Sequence, residues 1–191
     1  TKGMPKNAPQ ILQTIASGSS FVAIGTIEPR KGYRQMLSAF EVLWAKGLDI
    51  NLVIIGKHGW LMDDFAQSLP AHPEFNRHLF WLDGISDEYL ENVYKASTAM
   101  LLASEGEGFG LPLIEAASRQ LPIIVRDIPV FREVAGESAY YFSGNHPEDL
   151  AQSIESWLKL FSLKTHPDPG AMKWLTWKES TQSLLSNLIK Q

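Results

Sequence analysis

Phe21-Val-Ala-Ile-Gly-Thr-Ile27 is a short, almost wholly apolar run broken by a glycine. Tyr33 to Lys46 follows with apolar residues at helical spacing: Met36, Leu37, Phe40, Leu43 and Trp44. A continuous apolar run of this length is what a strand buried on both faces needs. Apolar positions three and four apart make one face of a helix. Gly47 stands where a C-cap glycine belongs. The stretch therefore reads as strand, glycine-containing turn, helix, the repeating unit of a parallel sheet.

The same texture recurs outward from it. Strands are expected at 51–56, 78–82, 99–103, 122–126 and 139–142, and helices at 60–69, 86–96, 112–119 and 147–161. Ser86 is the expected N-cap of the third helix, and Pro112 sits near the first position of the fourth. Alternation of this kind argues for βαβ units with right-handed crossovers. The expected class is α/β, an open and mostly parallel sheet wound on both faces by helices. A closed barrel normally needs about eight units and roughly 250 residues, more than the 191 available.

Residues 1–19 are polar and rich in Pro, Gly and Ser, and read as a linker or the end of a preceding segment. The domain proper is expected over 20–162. A break with two prolines and a glycine at 164–170 opens a C-terminal part, 163–191. This holds a closing helix at about 176–190 with Thr176 as N-cap and Trp177, Leu184, Leu185, Leu188 and Ile189 as apolar cargo. The chain does not start with Met and reads as an excised piece of something longer.

A net charge of −4 advertises no basic surface for nucleic acid. The absence of cysteine excludes disulfides, thiolate metal sites and thiol nucleophiles, and fits a reducing compartment. No apolar run has the length of a bilayer span.

In open α/β sheets, ligands bind beyond the carboxyl ends of the strands. The loop there after the strand ending at Ala103 reads Ser104-Glu-Gly-Glu-Gly-Phe-Gly-Leu-Pro-Leu-Ile-Glu115. Its glycines allow close backbone approach, and a helix N-terminus adds free N–H donors, which suits a diphosphate. Carboxylates repel phosphate but accept bidentate hydrogen bonds from vicinal hydroxyls. Donors for phosphate beside acceptors for sugar describe a nucleotide-sugar site. Taken singly, the glycines also fit a tight turn, and Glu115 also fits an acid at the start of a helix. After the first strand, Gly25-Thr-Ile-Glu-Pro-Arg-Lys-Gly32 brings Arg30 and Lys31, which could neutralise a diphosphate or be a solvated turn.

Glu107 and Glu115, with seven residues between them that begin Gly-Phe-Gly-Leu-Pro, resemble the Glu-x7-Glu motif of retaining glycosyltransferases of family four. That resemblance implies a Rossmann-like domain, one half of a GT-B fold. It implies that Glu107 lies against the donor sugar and Glu115 binds the ribose hydroxyls, with Gly108, Phe109, Gly110 and Leu111 meeting sugar and diphosphate. The Gly25 loop is similar to the family's Gly-Arg-x-x-x-x-Lys-Gly segment. Lys31 matches its lysine, while Thr26 replaces its arginine, whose work Arg30 takes over from a shifted position. Leu82-Asp-Gly-Ile-Ser-Asp-Glu-Tyr-Leu90 is similar to the family's base-reading segment, with Ile85 at the base.

The expected catalytic set is thus Glu107, Arg30 and Lys31. The expected donor-binding set is Gly25, Thr26, Ile85, Gly108, Phe109, Gly110, Leu111 and Glu115. No metal and no cofactor is expected. The resemblance further implies a GDP- or UDP-linked hexose as donor, mannose-like by the Glu-Pro-Arg-Lys variant. It implies a glycan or lipid-linked acceptor bound by a missing amino-terminal domain, through which the cytoplasmic enzyme would meet the inner face of a membrane. This chain alone would be inactive. A stand-alone nucleotide-binding regulatory module is the alternative. A Rossmann dehydrogenase fares poorly, because the first turn lacks Gly-x-Gly-x-x-Gly.

Overall fold

The computed structural model describes residues 1–174, 179, 181, 182 and 185. The closing helix expected at about 176–190 lies for the most part outside the described residues. The strands are β1 (Ser19–Ile24), β2 (Ile50–Ile55), β3 (Leu79–Leu82), β4 (Ala99–Leu102), β5 (Ile123–Arg126) and β6 (Tyr140–Phe142). The α-helices are α1 (Ala8–Ser17), α2 (Tyr33–Ala45), α3 (Asp63–Ser68), α4 (Asp87–Ala96), α5 (Leu111–Ser118), α6 (Pro129–Ala135) and α7 (Pro147–Ser162). All strand pairs are parallel, in the order β3-β2-β1-β4-β5-β6.

Alternation along each strand feeds two cores, one per face. Phe21, Ala23, Leu52 and Ile54 join α2, α3 and α7, with Trp157 fully buried and edge-on to Phe21 at 5.6 Å between ring centroids. Val22, Val53, Ile55 and Met100 join α1, α4, α5 and α6 on the other face. The doubly wound α/β sheet expected from the alternation is the fold observed. Among the described residues no helix is long and apolar enough to cross a membrane.

Two elements were not anticipated. The stretch read as a linker at 1–19 contains α1, whose Ala8 and Ile15 are buried and which packs on α4. Its apolar positions Ile11, Leu12 and Ile15 are few enough to be masked by polar neighbours. Ahead of it, Gly3 N–H donates to Glu88 at 2.8 Å, and the Ser86 hydroxyl donates to the Gly3 carbonyl. The second is α6, seven residues long, placed between the strands expected at 122–126 and 139–142. At the Trp60 end the expected helix is shorter. It starts at Asp63, leaving Trp60 and Leu61 exposed in a loop where Leu61 takes a left-handed φ of 52°. Ser86 caps α4 as expected, accepting from Tyr89 N–H at 3.1 Å.

Candidate functional site

The strand order reverses between β1 and β4. The crevice at such a switch point, beyond the carboxyl ends of the strands, is where these sheets open a binding site. The two loops that meet there are Gly25–Gly32 and Ala103–Gly110. Backbone links them: Glu105 N–H donates to the Arg30 carbonyl at 2.8 Å. Gly32 makes the approach possible. Its φ is +70°, and a Cβ there would lie 2.3 Å from the Ala103 carbonyl oxygen, closer than any side chain tolerates.

The pinned loops bring Arg30, Lys31 and Glu107 together. Lys31 Nζ donates to Glu107 Oε1 at 2.5 Å and Arg30 Nη1 to Glu107 Oε2 at 3.1 Å. The buried Ser104 hydroxyl donates to Oε1 at 2.9 Å. Arg30 also reaches the Gly106 carbonyl at 3.0 Å and Glu28 Oε2 at 3.1 Å. Partial burial pushes the Glu107 carboxyl up, but the hydrogen bonds of Lys31 and Ser104, the Lys31 charge and the Arg30 hydrogen bond outweigh it. The group sits below the ordinary carboxylate range. The same contact, chiefly its hydrogen bond to Glu107, raises Arg30 further above its ordinary value. Beneath the cluster, the buried Tyr33 donates its hydroxyl to the Gly25 carbonyl at 2.7 Å, and burial above all drives its phenol up.

The remaining sequence-expected residues fall around this cluster. Gly25, at φ +141°, lies under Lys31, whose ammonium would be 3.6 Å from an added Cβ. Thr26 is exposed and turns its methyl toward Gly59, whose own close fit on the Ile27 carbonyl binds the loop after β2 to that after β1. Gly110, at φ +90°, opens α5. Gly108 faces open space, and Phe109 and Leu111 are 54% and 50% exposed. Glu115 is not gathered into the cluster. It projects from α5 and accepts from the Tyr94 hydroxyl of α4 at 2.8 Å. Burial, followed by the Glu115 charge, raises the Tyr94 phenol, and Arg119 covers its ring at 4.6 Å. Ile85 is half-buried after β3, two strands from β1, and packs on the core shared with α1, α4, α5 and α6. His58 pairs with Asp63 at 3.2 Å, in the loop after β2.

Sequence reasoning passed over Glu28, Ser104, Tyr33, Tyr94 and Arg126. Arg126 ends β5 and is 6% exposed. Its Nε–H donates to the Ala103 carbonyl at 3.0 Å, and Nη1–H to the Gly144 carbonyl at 2.6 Å and Asn145 Oδ1 at 2.8 Å. It thus fixes the root of the Gly-rich loop from the next strand. An arginine at the end of an otherwise apolar strand was the available signal. Among the described residues no group of three or more His, Cys, Asp or Glu side chains is placed to hold a metal ion.

A parallel sheet of this order, with helices on both faces, defines a doubly wound class of α/β domain. The chain belongs to the glycosyl transferases group 1 family, whose sequence model matches residues 10–173. It is 53% identical over 186 residues to the serotype-specific mannosyltransferase WbdA of Escherichia coli. That match takes in 97% of this chain and 23% of the relative, so the chain spans about a quarter of the length of that protein. It is 27% identical to the O-antigen chain mannosyltransferase B of Escherichia coli, covering 79% of this chain and 41% of that one. The C-terminal domain of the group 1 glycosyl transferase LpcC from Francisella tularensis superposes with a TM-score of 0.67 at 22% identity, over 85% of this chain and 87% of that one. Anabaena HepE, crystallised with UDP and glucose, gives 0.69 at 13% identity, over 88% and 46%. These two likenesses show the fold, that of one GT-B glycosyltransferase domain.

Proposed function

We propose that this chain is the donor-binding domain of a retaining hexosyltransferase, and that it takes a nucleoside diphosphate sugar at the switch point. The observation that carries this is the convergence of Arg30, Lys31 and Glu107 on two loops locked together beside the α5 N-terminus. Paired cations with adjacent helix N–H donors suit a diphosphate. Carboxylates at Glu107 and Glu115 suit sugar and ribose hydroxyls. In this reading Gly25, Thr26, Gly108, Phe109, Gly110 and Leu111 line the donor, and Ile85 meets the base. Mannose is the proposed sugar, supported by the mannosyltransferases among the relatives.

The proposed reaction is front-face transfer. The acceptor hydroxyl oxygen bonds to the anomeric carbon as that carbon's bond to the β-phosphate oxygen breaks on the same side. The hydroxyl proton passes to the leaving phosphate oxygen. Arg30 and Lys31 stabilise the charge that accumulates on the departing diphosphate. The acceptor, a glycan or a lipid-linked glycan, is assigned to an amino-terminal domain of a longer protein acting at the cytoplasmic face of a membrane. No cofactor or metal is required in this scheme, since the two cations supply the positive charge.

Calorimetric titration of this chain with GDP, UDP and ADP, first without metal and then with magnesium, tests the reading. Binding of one nucleotide is expected, abolished in the Arg30→Ala/Lys31→Ala double variant. Glu115→Ala is expected to weaken it by about 1–3 kcal/mol through loss of ribose acceptors. No binding by any nucleotide at millimolar concentration, from a folded sample, overturns the proposal.

A further inference from the structure

Trp60 belongs to neither core. It is 58% exposed in the loop between β2 and α3, and Leu61 beside it is 71% exposed. An indole left in water forgoes the burial from which large aromatic side chains normally gain. The loop that carries it is nevertheless fixed from both sides. Ile27 N–H donates to the Lys57 carbonyl at 2.9 Å and Gly59 N–H to the Ile27 carbonyl at 3.2 Å, which ties it to the loop after β1. On the side of β3, Gly56 N–H donates to the Leu82 carbonyl at 3.2 Å, and the Trp81 indole N–H to the Gly56 carbonyl at 2.9 Å. Beyond Trp60 the chain turns through the left-handed Leu61 and buries Met62. A non-glycine residue keeps that backbone only where its surroundings impose it. An exposed ring thus stands on a rigid stem.

In the order β3-β2-β1-β4, the loop after β2 stands between the loop that carries Arg30 and Lys31 and the loop that carries Ile85. Neighbouring strands lie about 4.8 Å apart, so two spacings put the ends of β1 and β3 roughly 10 Å from each other. A nucleotide with its diphosphate over β1 and its base toward β3 crosses the loop between them. We infer that Trp60 is the stacking platform for the nucleobase of the donor. The inference rests on the donor-site reading above. Every base has a π-face, so an indole holds it by stacking without reading its edge. The fixed stem keeps the cost of ordering the ring on binding small. Trp60 therefore adds affinity for the nucleoside part of the ligand and leaves the choice of base to the loop after β3.

The test is calorimetry with GDP, UDP and ADP on the wild-type chain and on Trp60→Ala, Trp60→Leu and Trp60→Phe. Thermal melts establish that each variant is folded, as expected for a side chain outside both cores. For the nucleotide that binds, the Ala and Leu variants are each expected to weaken binding about tenfold, and the Phe variant by about threefold at most, because a ring and not apolar bulk is what stacks. Tryptophan fluorescence of the wild-type chain should fall as that nucleotide is added, and fall less in Trp60→Phe. A residue that merely shaped the loop would not separate Leu from Phe. Affinity within about twofold of wild type in Trp60→Ala, or equal affinities in the Leu and Phe variants, overturns the inference while leaving the donor site standing. Failure of the wild-type chain to bind any of the three nucleotides overturns the donor-site reading, and this inference with it.

Discussion

Glu107 illustrates how one side chain can tie two loops together, through Lys31 and Arg30. Its folded pKa is below the ordinary value of 4.5, so the ion pairs with Lys31 and Arg30 contribute stability that is fully present above that pH. That contribution is lost as the pH falls through the lower folded value. Wild-type and Glu107→Gln chains should therefore differ in melting temperature at pH 7, with the variant lower, and the gap should close as the pH falls below the ordinary carboxylate range and through the lower folded value. A gap that stays constant with pH would show that Glu107 does not stabilise through its charge. Glu115 stands in contrast. It has one phenolic donor, Tyr94, and no cation of the cluster, which leaves most of its acceptor capacity for a ligand.

At the scale of elements, the site depends on how closely two loops approach. Strand β1 delivers its loop with Gly32 against the Ala103 carbonyl, and β5 delivers Arg126 to the same carbonyl from the other side. Gly32→Ala should destabilise the fold by at least about 1–3 kcal/mol from the left-handed backbone alone. The overlap with Ala103 adds to that and forces the loops apart, so nucleotide binding should fall with stability. Gly108→Ala is the matched control. It has no positive φ and nothing within 4 Å of the added methyl, and its urea midpoint should match the wild type. Equal midpoints for both variants would disprove the close-approach account.

At the scale of the whole molecule, one sheet separates two cores, and each strand belongs to both. Trp157 of α7 is fully buried, edge-on to Phe21 of β1 and stacked on Phe161 at 5.0 Å. Trp157→Ala should cost about 3–5 kcal/mol. Because β1 also carries Val22 into the opposite core, the loss should lower both faces in one cooperative transition. Far-UV circular dichroism and tryptophan fluorescence should then report a single shifted midpoint. Two separated transitions would mean that the faces unfold independently.

The sequence by itself determined the architecture and the chemical inventory. Runs such as Phe21–Ile24 could be satisfied only by burial on both faces. Their alternation with amphipathic helices left an open parallel sheet as the economical answer, and the spacing of Glu107 and Glu115 singled out the loop after β4 as the candidate. Tertiary structure decided the strand order, and with it that Glu107 meets Arg30 and Lys31 across 76 or 77 residues of chain while Glu115 meets Tyr94. Local periodicity carries no record of which strands become neighbours, so pairings made at the switch point could not be read from it. The same limit hid α1, whose sparse apolar positions acquire their meaning only against α4, and Arg126, whose partners arrive from three other segments. Local preference selects elements one by one, whereas contacts between distant loops follow from how the packed sheet places them.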